Sequence, residues 1–301
     1  MKKNKKLFAL LFCCLFLFST IFGATLKYDR NGDVYFDYGT RKYTDEEIVD
    51  QDTFDKITIF SAIAFGDWPT IQKELDSGLD INSSIVLKED PIVIQYTPLS
   101  YALWHNTPAS EKQYRKSSKE TILEKLIEAG ADVNYVMPWF FIWGDLNQTP
   151  CLSLTLQEFA NGTLSKDFVM TMIDKVERIP VDSYFQIATT GDIEIIKAGF
   201  EKIKSYDDTP DSLIEFLMAS IYYPCLVAHN DNKPIPDYVV DYCLEIQKMP
   251  FVHMNIKQIT DRFFTFNNGN GLYETISTAY ANDENWQDVL MTFELLKGLV
   301  N

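Results

Sequence analysis

The chain reads as an all-α solenoid of stacked helix pairs, and three observations predict it. A five-residue element, Gly78-Leu79-Asp80-Ile81-Asn82, returns as Gly130-Ala131-Asp132-Val133-Asn134. Each copy closes an amphipathic helix. Each is followed by a helix-opening segment, of which Thr97-Pro98-Leu99-Ser100-Tyr101-Ala102 is the fuller form. A helix pair repeated in this way buries its apolar face by stacking on the next pair, so repetition predicts an elongated array.

The first element is not part of that array. Lys2, Lys3, Lys5 and Lys6 precede an apolar run over residues 7–22, the pattern of a secretory signal peptide over residues 1–24. The run is shorter than the about 20 residues of a spanning helix, so cleavage is expected in preference to an uncleaved membrane anchor. No later stretch is long and charge-free enough to cross a membrane. The expectation is therefore an exported protein, periplasmic or secreted, with no membrane insertion after cleavage.

Residues 25–53 form the second element, a small N-terminal hairpin and a linker. Leu26-Lys27-Tyr28 and Val34-Tyr35-Phe36 flank a turn containing Asn31-Gly32, a strong hairpin signal. Asp29, Asn31 and Asp33 match the first three ligands of a calcium loop, but Val34 and Thr40 stand where that loop needs glycine and glutamate, which favours the plain turn. Thr44 and Glu47 are spaced as a capping box for a short helix.

The array occupies residues 54–301. Its first pair has Phe60, Ala62, Ile63 and Ala64 on one helix, Gly66-Asp67 as the turn, and Ile71 and Leu75 on the second helix before Gly78. The second pair runs from Thr97 to Asn134 around a polar insertion at residues 106–120. Thr149-Pro150-Cys151-Leu152-Ser153-Leu154 opens a third, completed by Phe168, Val169, Met172 and Ile173. A fourth combines Phe185, Ile187 and Ala188 with Gly191-Asp192 and with Ile193, Ile195 and Ile196. Two further helix pairs are predicted over residues 213–255 and 272–300, from periodicity alone.

The Thr-Pro-Leu openers, the Gly-x-Asp-x-Asn closures and the spacing between them resemble the ankyrin repeat. The likeness is clear over residues 58–155 and degenerate after about residue 200. It implies an ankyrin-like solenoid with elongated β-hairpin fingers and the binding of a protein partner.

Two connections are longer than that unit requires, and they are the candidate binding fingers. Ile85-Val86-Leu87 and Ile92-Val93-Ile94 read as one hairpin, and the other holds Trp139-Phe140-Phe141-Ile142-Trp143. Five consecutive large apolar residues cannot all point inward from a finger. Either they are exposed anchors for a partner, or the fingers pack on one another as a small sheet. The candidate surface is Trp139, Phe140, Phe141 and Trp143, with Tyr135 beside them and Trp104 at the end of a neighbouring helix.

The formal charge is −16, and without the four leader lysines 23 basic residues face 43 acidic ones, a net of −20. Such a surface repels nucleic acid and favours a basic protein partner. His105, His229 and His253 lack metal-ligand spacing, and no nucleophile elbow or phosphate-binding loop occurs. Asn267-Asn268-Gly269-Asn270-Gly271 lacks the basic residue of a phosphate site. No catalytic residue, metal or cofactor is expected. Cys151, Cys225 and Cys243 would remain after cleavage, an odd number that cannot form a full disulfide framework, Cys225 with Cys243 being the shorter loop if any pair forms.

The reading is an exported, monomeric interaction module without catalysis of its own. The alternatives are an acidic inhibitor or immunity-type protein that neutralises a basic toxin or enzyme, and a hydrolase with a catalytic C-terminal half.

Overall fold

The two helix pairs that the motif spacing predicts are present, but the segments between them are strands that pair with one another. The computed structural model describes residues 44–106, 115–141, 146–206, 216, 219–221, 223–225, 227–228, 231 and 233–243, with the backbone alone of 25–28, 34–37 and 244–248. The signal segment 1–24, the calcium-like turn, Trp143, residues 107–114 of the insertion, His229, His253, the Gly-rich stretch and the last predicted helix pair lie outside the described residues. Among the described residues no helix is long and apolar enough to cross a membrane.

The chain divides into two units, Met1–Glu158 and Phe159–Asn301. In the first, β1 (Thr25–Tyr28) and β2 (Val34–Asp37) form an antiparallel hairpin, with Thr25 opposite Asp37 and Tyr28 opposite Val34. The predicted Thr44–Glu47 partnership is real, since the Thr44 amide donates to a Glu47 carboxylate oxygen at 3.1 Å. It does not start a helix: Glu47-Ile48-Val49 continues as strand β3 (Glu47–Val49). The helix begins later, as α1 (Gln51–Phe54), where the Asp50 carboxylate accepts the Thr53 amide at 2.8 Å.

The first pair is α2 (Thr58–Phe65) and α3 (Trp68–Asp76). All eight residues of α2 are buried, because it is enclosed on every side, whereas α3 buries Ile71 and leaves its polar face in water. Gly66 ends α2 at φ +68°, and a Cβ there would come within 2.5 Å of the Ser117 carbonyl oxygen, so only glycine suits this turn. The second pair is α4 (Pro98–Trp104) and α5 (Lys119–Glu128). A reciprocal Thr97–Ser100 capping box starts α4, and Ser118 caps α5 by accepting the Thr121 amide at 3.0 Å. The two closure motifs bind each other: Asn82 donates to the Gly130 carbonyl at 3.1 Å and accepts from the Asp132 amide at 2.8 Å. Helix α6 (Cys151–Ala160) follows, with Cys151 fully buried.

Between these helices run β4 (Ile85–Glu89), β5 (Ile92–Tyr96), β6 (Val136–Phe141) and β7 (Asn147–Pro150). With β3 they make one five-stranded sheet in the order β3-β4-β5-β6-β7, parallel at β3–β4 and antiparallel elsewhere. The expected all-α, ankyrin-like solenoid is thereby corrected to a mixed α/β fold. The reason is dimensional. A two-strand finger is about 10 Å wide at the normal strand spacing, close to the separation of packed helices. Successive fingers therefore meet edge to edge, and the edge groups of one satisfy those of the next.

The second unit, described by itself, contains α7 (Lys166–Lys175), a 3-10 turn at Val181–Ser183, α8 (Tyr184–Thr189), α9 (Ile193–Lys204) and α10 (Asp237–Lys248). Lys166 at the start of α7 pairs with Asp192 at 3.0 Å and with Glu194 at the start of α9. The Tyr206 hydroxyl accepts the Ile179 amide at 2.6 Å.

Candidate functional site

Alternation along β6 sorts the aromatic run onto two faces. Trp139 stands opposite Ile94, and Phe141 opposite Ile92, while Phe140 stands opposite Val93. Directly paired residues share a face, so Ile92, Ile94, Trp139 and Phe141 form one patch and Phe140 belongs to the other side. Near the helices this first face is closed, with Ile85, Tyr96 and Met137 buried. Towards the finger tips Ile92, Ile94, Trp139 and Phe141 are only half-buried. The Trp139 and Phe141 rings meet edge to face at 5.9 Å, and the Trp139 indole N–H donates to the Thr149 hydroxyl at 3.0 Å. Both rings are thus held in one orientation before any partner arrives.

Of the six predicted residues, Trp139, Phe140, Phe141 and Tyr135 are brought to the β5–β6 part of the sheet. The Tyr135 hydroxyl donates to the Gln95 carbonyl at 3.1 Å, and burial pushes its ionisation upward, so it remains a neutral donor. Trp104 is not brought there, since it ends α4 at the turn farthest from β5. Trp143 lies outside the described residues.

Three exposed apolar residues around the same sheet escaped the sequence reading. Ile48 on β3 is 70% exposed, Leu146 beside β7 60%, and Val136 at the start of β6 36%. Ile48 is held out by a fixed turn. Glu46 has φ +59°, its amide donates to the Ser84 carbonyl at 2.7 Å, and Asp45 accepts the Ser84 amide at 2.6 Å. A lone Ile48-Val49 pair in an acidic segment has no periodic signature, so only the register reveals where Ile48 stands.

The buried titratable groups of the first unit join helices to one another. Lys119 Nζ donates to Glu158 Oε2 at 2.5 Å, to the Leu103 carbonyl at 2.6 Å and to Asn106 at 3.3 Å, with both charged side chains only 6% exposed. The lysine therefore satisfies the Leu103 carbonyl near the C-terminus of α4 while pairing with α6. Burial draws the Lys119 ammonium down to about 8, against the opposing pull of Glu158. His105 stacks on Tyr101 at 5.1 Å, and its Nδ1 lies 3.3 Å from the Tyr101 hydroxyl. Burial, with Lys119 and Arg115 nearby, depresses His105 to about 3 and keeps it neutral. The residue retains some surface, but its Nε2 is enclosed, and that enclosure governs the proton. Asp55 is raised to about 6 by burial, although Gln51 donates to it. Tyr101 extends this cluster into the ring stack of Phe54, Phe60 and Tyr96.

Among the described residues no three His, Cys, Asp or Glu side chains converge as a metal site. Cys151, Cys225 and Cys243 are buried thiols, so the Cys225–Cys243 bridge considered from the sequence is not formed. No protein-family model, curated protein or solved structure matches the chain, and its function is read from its own geometry.

Proposed function

We propose that this chain is an exported protein-binding module that recognises its partner through the sheet of the first unit, without catalysis of its own. The carrying observation is the half-exposed patch of Ile92, Ile94, Trp139 and Phe141 on a hydrogen-bonded sheet. Large side chains already fixed on strands lose little freedom on association, which is why aromatic anchors dominate interfaces. The export part of the reading is supported by the four lysines and apolar run of residues 1–24.

Cross-linking of the full chain to the exported fraction of its own organism, with both ends of each link mapped, tests this reading. The expected result is one partner linked at β5–β6, with affinity falling about tenfold or more in Trp139→Ser and Phe141→Ser variants of unchanged circular dichroism. A partner that binds the variants equally well would overturn it.

A second reading, an acidic inhibitor of a basic protein, is favoured by the net −20 of the chain without its leader. It requires affinity that falls steeply with salt and is indifferent to Trp139.

A further inference from the structure

We infer that the second face of the five-stranded sheet is an interface between two copies of this chain, packed face to face about a two-fold axis. The first face is the one that meets the helices. Tyr96 on that face packs on Phe54 of α1 at 5.9 Å and on Tyr101 of α4 at 5.4 Å. Alternation places Ile48, Val86, Val136, Pro138 and Phe140 on the opposite face. Ile48 is 70% exposed there and Val136 36%, while Val86, Pro138 and Phe140 are half-buried and Val93 at the centre is buried. Apolar side chains of this size, side by side on a rigid sheet, mark an interaction surface. Phe140, turned away from the Trp139 patch, finds its place in it.

The charges at the two ends of this face name the occupant. The strand positions of the face hold one cation, Lys88 on β4, which is exposed, and no carboxylate. A carboxylate reaches the face from the turn before β3. Asp45 accepts the Ser84 amide at 2.6 Å and the Ser84 hydroxyl at 3.3 Å, and that hydroxyl accepts from the Gln95 side chain at 2.7 Å. Gln95 stands opposite Val86 on the same face, so Asp45 is anchored at its base. Lys88 lies four residues beyond Ser84 along the strand, about 13 Å away towards the finger tip. A two-fold axis across the strands runs the two sheets in opposite directions and sets Lys88 of each copy over Asp45 of the other. Reciprocal contact of that kind is what an isologous interface needs. A uniformly basic partner would oppose Lys88 and a uniformly acidic one would oppose Asp45, whereas the chain itself supplies both signs in the right order. The net negative charge of the two chains is screened beyond about 8 Å at physiological salt, which leaves the contacting pairs to decide. The apolar side chains then meet between the pairs, at the about 10 Å spacing of packed sheets. The dimer replaces the monomer expected from the sequence. Its two Trp139 patches lie on opposite outer faces, so a partner with two binding sites gains avidity.

The experiment is sedimentation equilibrium of the full chain at physiological ionic strength over a range of concentrations. The wild type should show a monomer–dimer equilibrium, and Lys88→Glu and Phe140→Ser should each weaken it about tenfold or more with unchanged circular dichroism. Asp45→Lys should weaken it as well. An equimolar mixture of the Lys88→Glu and Asp45→Lys chains should form a heterodimer, because opposite charges then face each other at both pairs. Neither Lys88→Glu nor Phe140→Ser removes a side-chain hydrogen bond among the described residues, so these two decide the matter even if Asp45→Lys folds poorly. A wild type that remains monomeric, or a dimer indifferent to both Lys88→Glu and Phe140→Ser, overturns the inference. So does a mixture of two folded variants that yields no heterodimer. Edge-to-edge growth beyond a dimer is a separate event that sedimentation resolves by mass. Trp139→Ser, which tests partner binding, should leave the dimer intact, so the two proposals fail separately.

Discussion

Acid should destabilise the first unit through His105, and the size of the effect follows from its surroundings. The imidazole is held near a folded-state value of about 3 by burial and by the positive charges of Lys119 and Arg115. In the unfolded chain it takes up its proton near the ordinary value of about 6.5. Between those values the unfolded state binds more protons, so stability is fully present above the unfolded value and falls as pH falls towards the folded one. The whole shift corresponds to roughly 3 to 5 kcal/mol, and about 3 kcal/mol of it is lost by about pH 4.5. Asp55 acts in the opposite direction. Its folded value is raised to about 6 by burial, so the folded state binds more protons than the unfolded one below that pH, and acidification relieves the cost of its charge. The wild-type slope is the difference of the two. Urea midpoints of wild type and His105→Gln, compared at about pH 7 and about pH 4.5, isolate the histidine. The gap between the proteins should shift by about 3 kcal/mol in favour of the variant on acidification. Asp55→Asn should shift the other way, most stabilising at neutral pH. Parallel wild-type and His105→Gln curves over this range would refute the buried-imidazole argument.

Lys119→Met leaves Glu158 charged inside the helix cluster and should cost about 3 to 5 kcal/mol by chemical denaturation, whereas adding Glu158→Leu should recover most of it. Gly66→Ala places a Cβ within 2.5 Å of backbone at φ +68°, while Gly78→Ala at φ +93° meets nothing within 4 Å. The first should cost about 2 to 4 kcal/mol and the second about 1, so equal losses would show that the Ser117 approach is not tight. Asn82→Ala removes both bonds between the closure motifs and should lower stability by about 1 to 2 kcal/mol, with hydrogen exchange quickening at Asp132.

The helix pairs were legible because their signals are local. Apolar spacing marked α2, α3, α4 and α5, and Gly66, Gly78, Gly130 and Gly191 all have the positive φ that a turn or cap position calls for. The sheet was legible only as an alternative for the two fingers, and its register not at all, because its partners are remote. Ile92 faces Phe141 and Glu47 faces Ile85, and no short window contains either pair. Alternation identifies a strand but not its neighbour. The aromatic run was visible for its density, and of the two fates weighed for it the strand pairing shows the packing of the fingers into a sheet, with Trp139 and Phe141 half-buried there. Lys119 gave no signal: a lysine in the first turn of a polar helix reads as solvated until α6 supplies Glu158.

The two ends of the sheet differ in how they avoid pairing with a neighbour, and the difference yields a test. Strand β7 ends at Pro150, which removes a donor, and exposes Asn147 and Gln148, which are polar and uncharged. Strand β3 has no proline and an exposed Ile48, so its protection lies in its three-residue length, in the Glu47 amide already donated to the Thr44 carbonyl, and in the exposed carboxylates of Asp45, Glu46, Asp50 and Asp52. Among these Asp50 is held below the ordinary carboxylate range by its bonds from Thr53 and keeps its charge in mild acid. Protection by like charge is screened by salt, whereas protection by proline is not. Raising salt from about 0.01 M to about 1 M contracts the screening length from about 30 Å to about 3 Å. Self-association measured by light scattering at neutral pH should therefore increase with salt. Ile48→Lys should suppress that increase, and a change at β7 such as Gln148→Lys should leave it in place. Association that ignores salt, or that persists equally in Ile48→Lys, would mean that the carboxylates around β3 do not guard this edge.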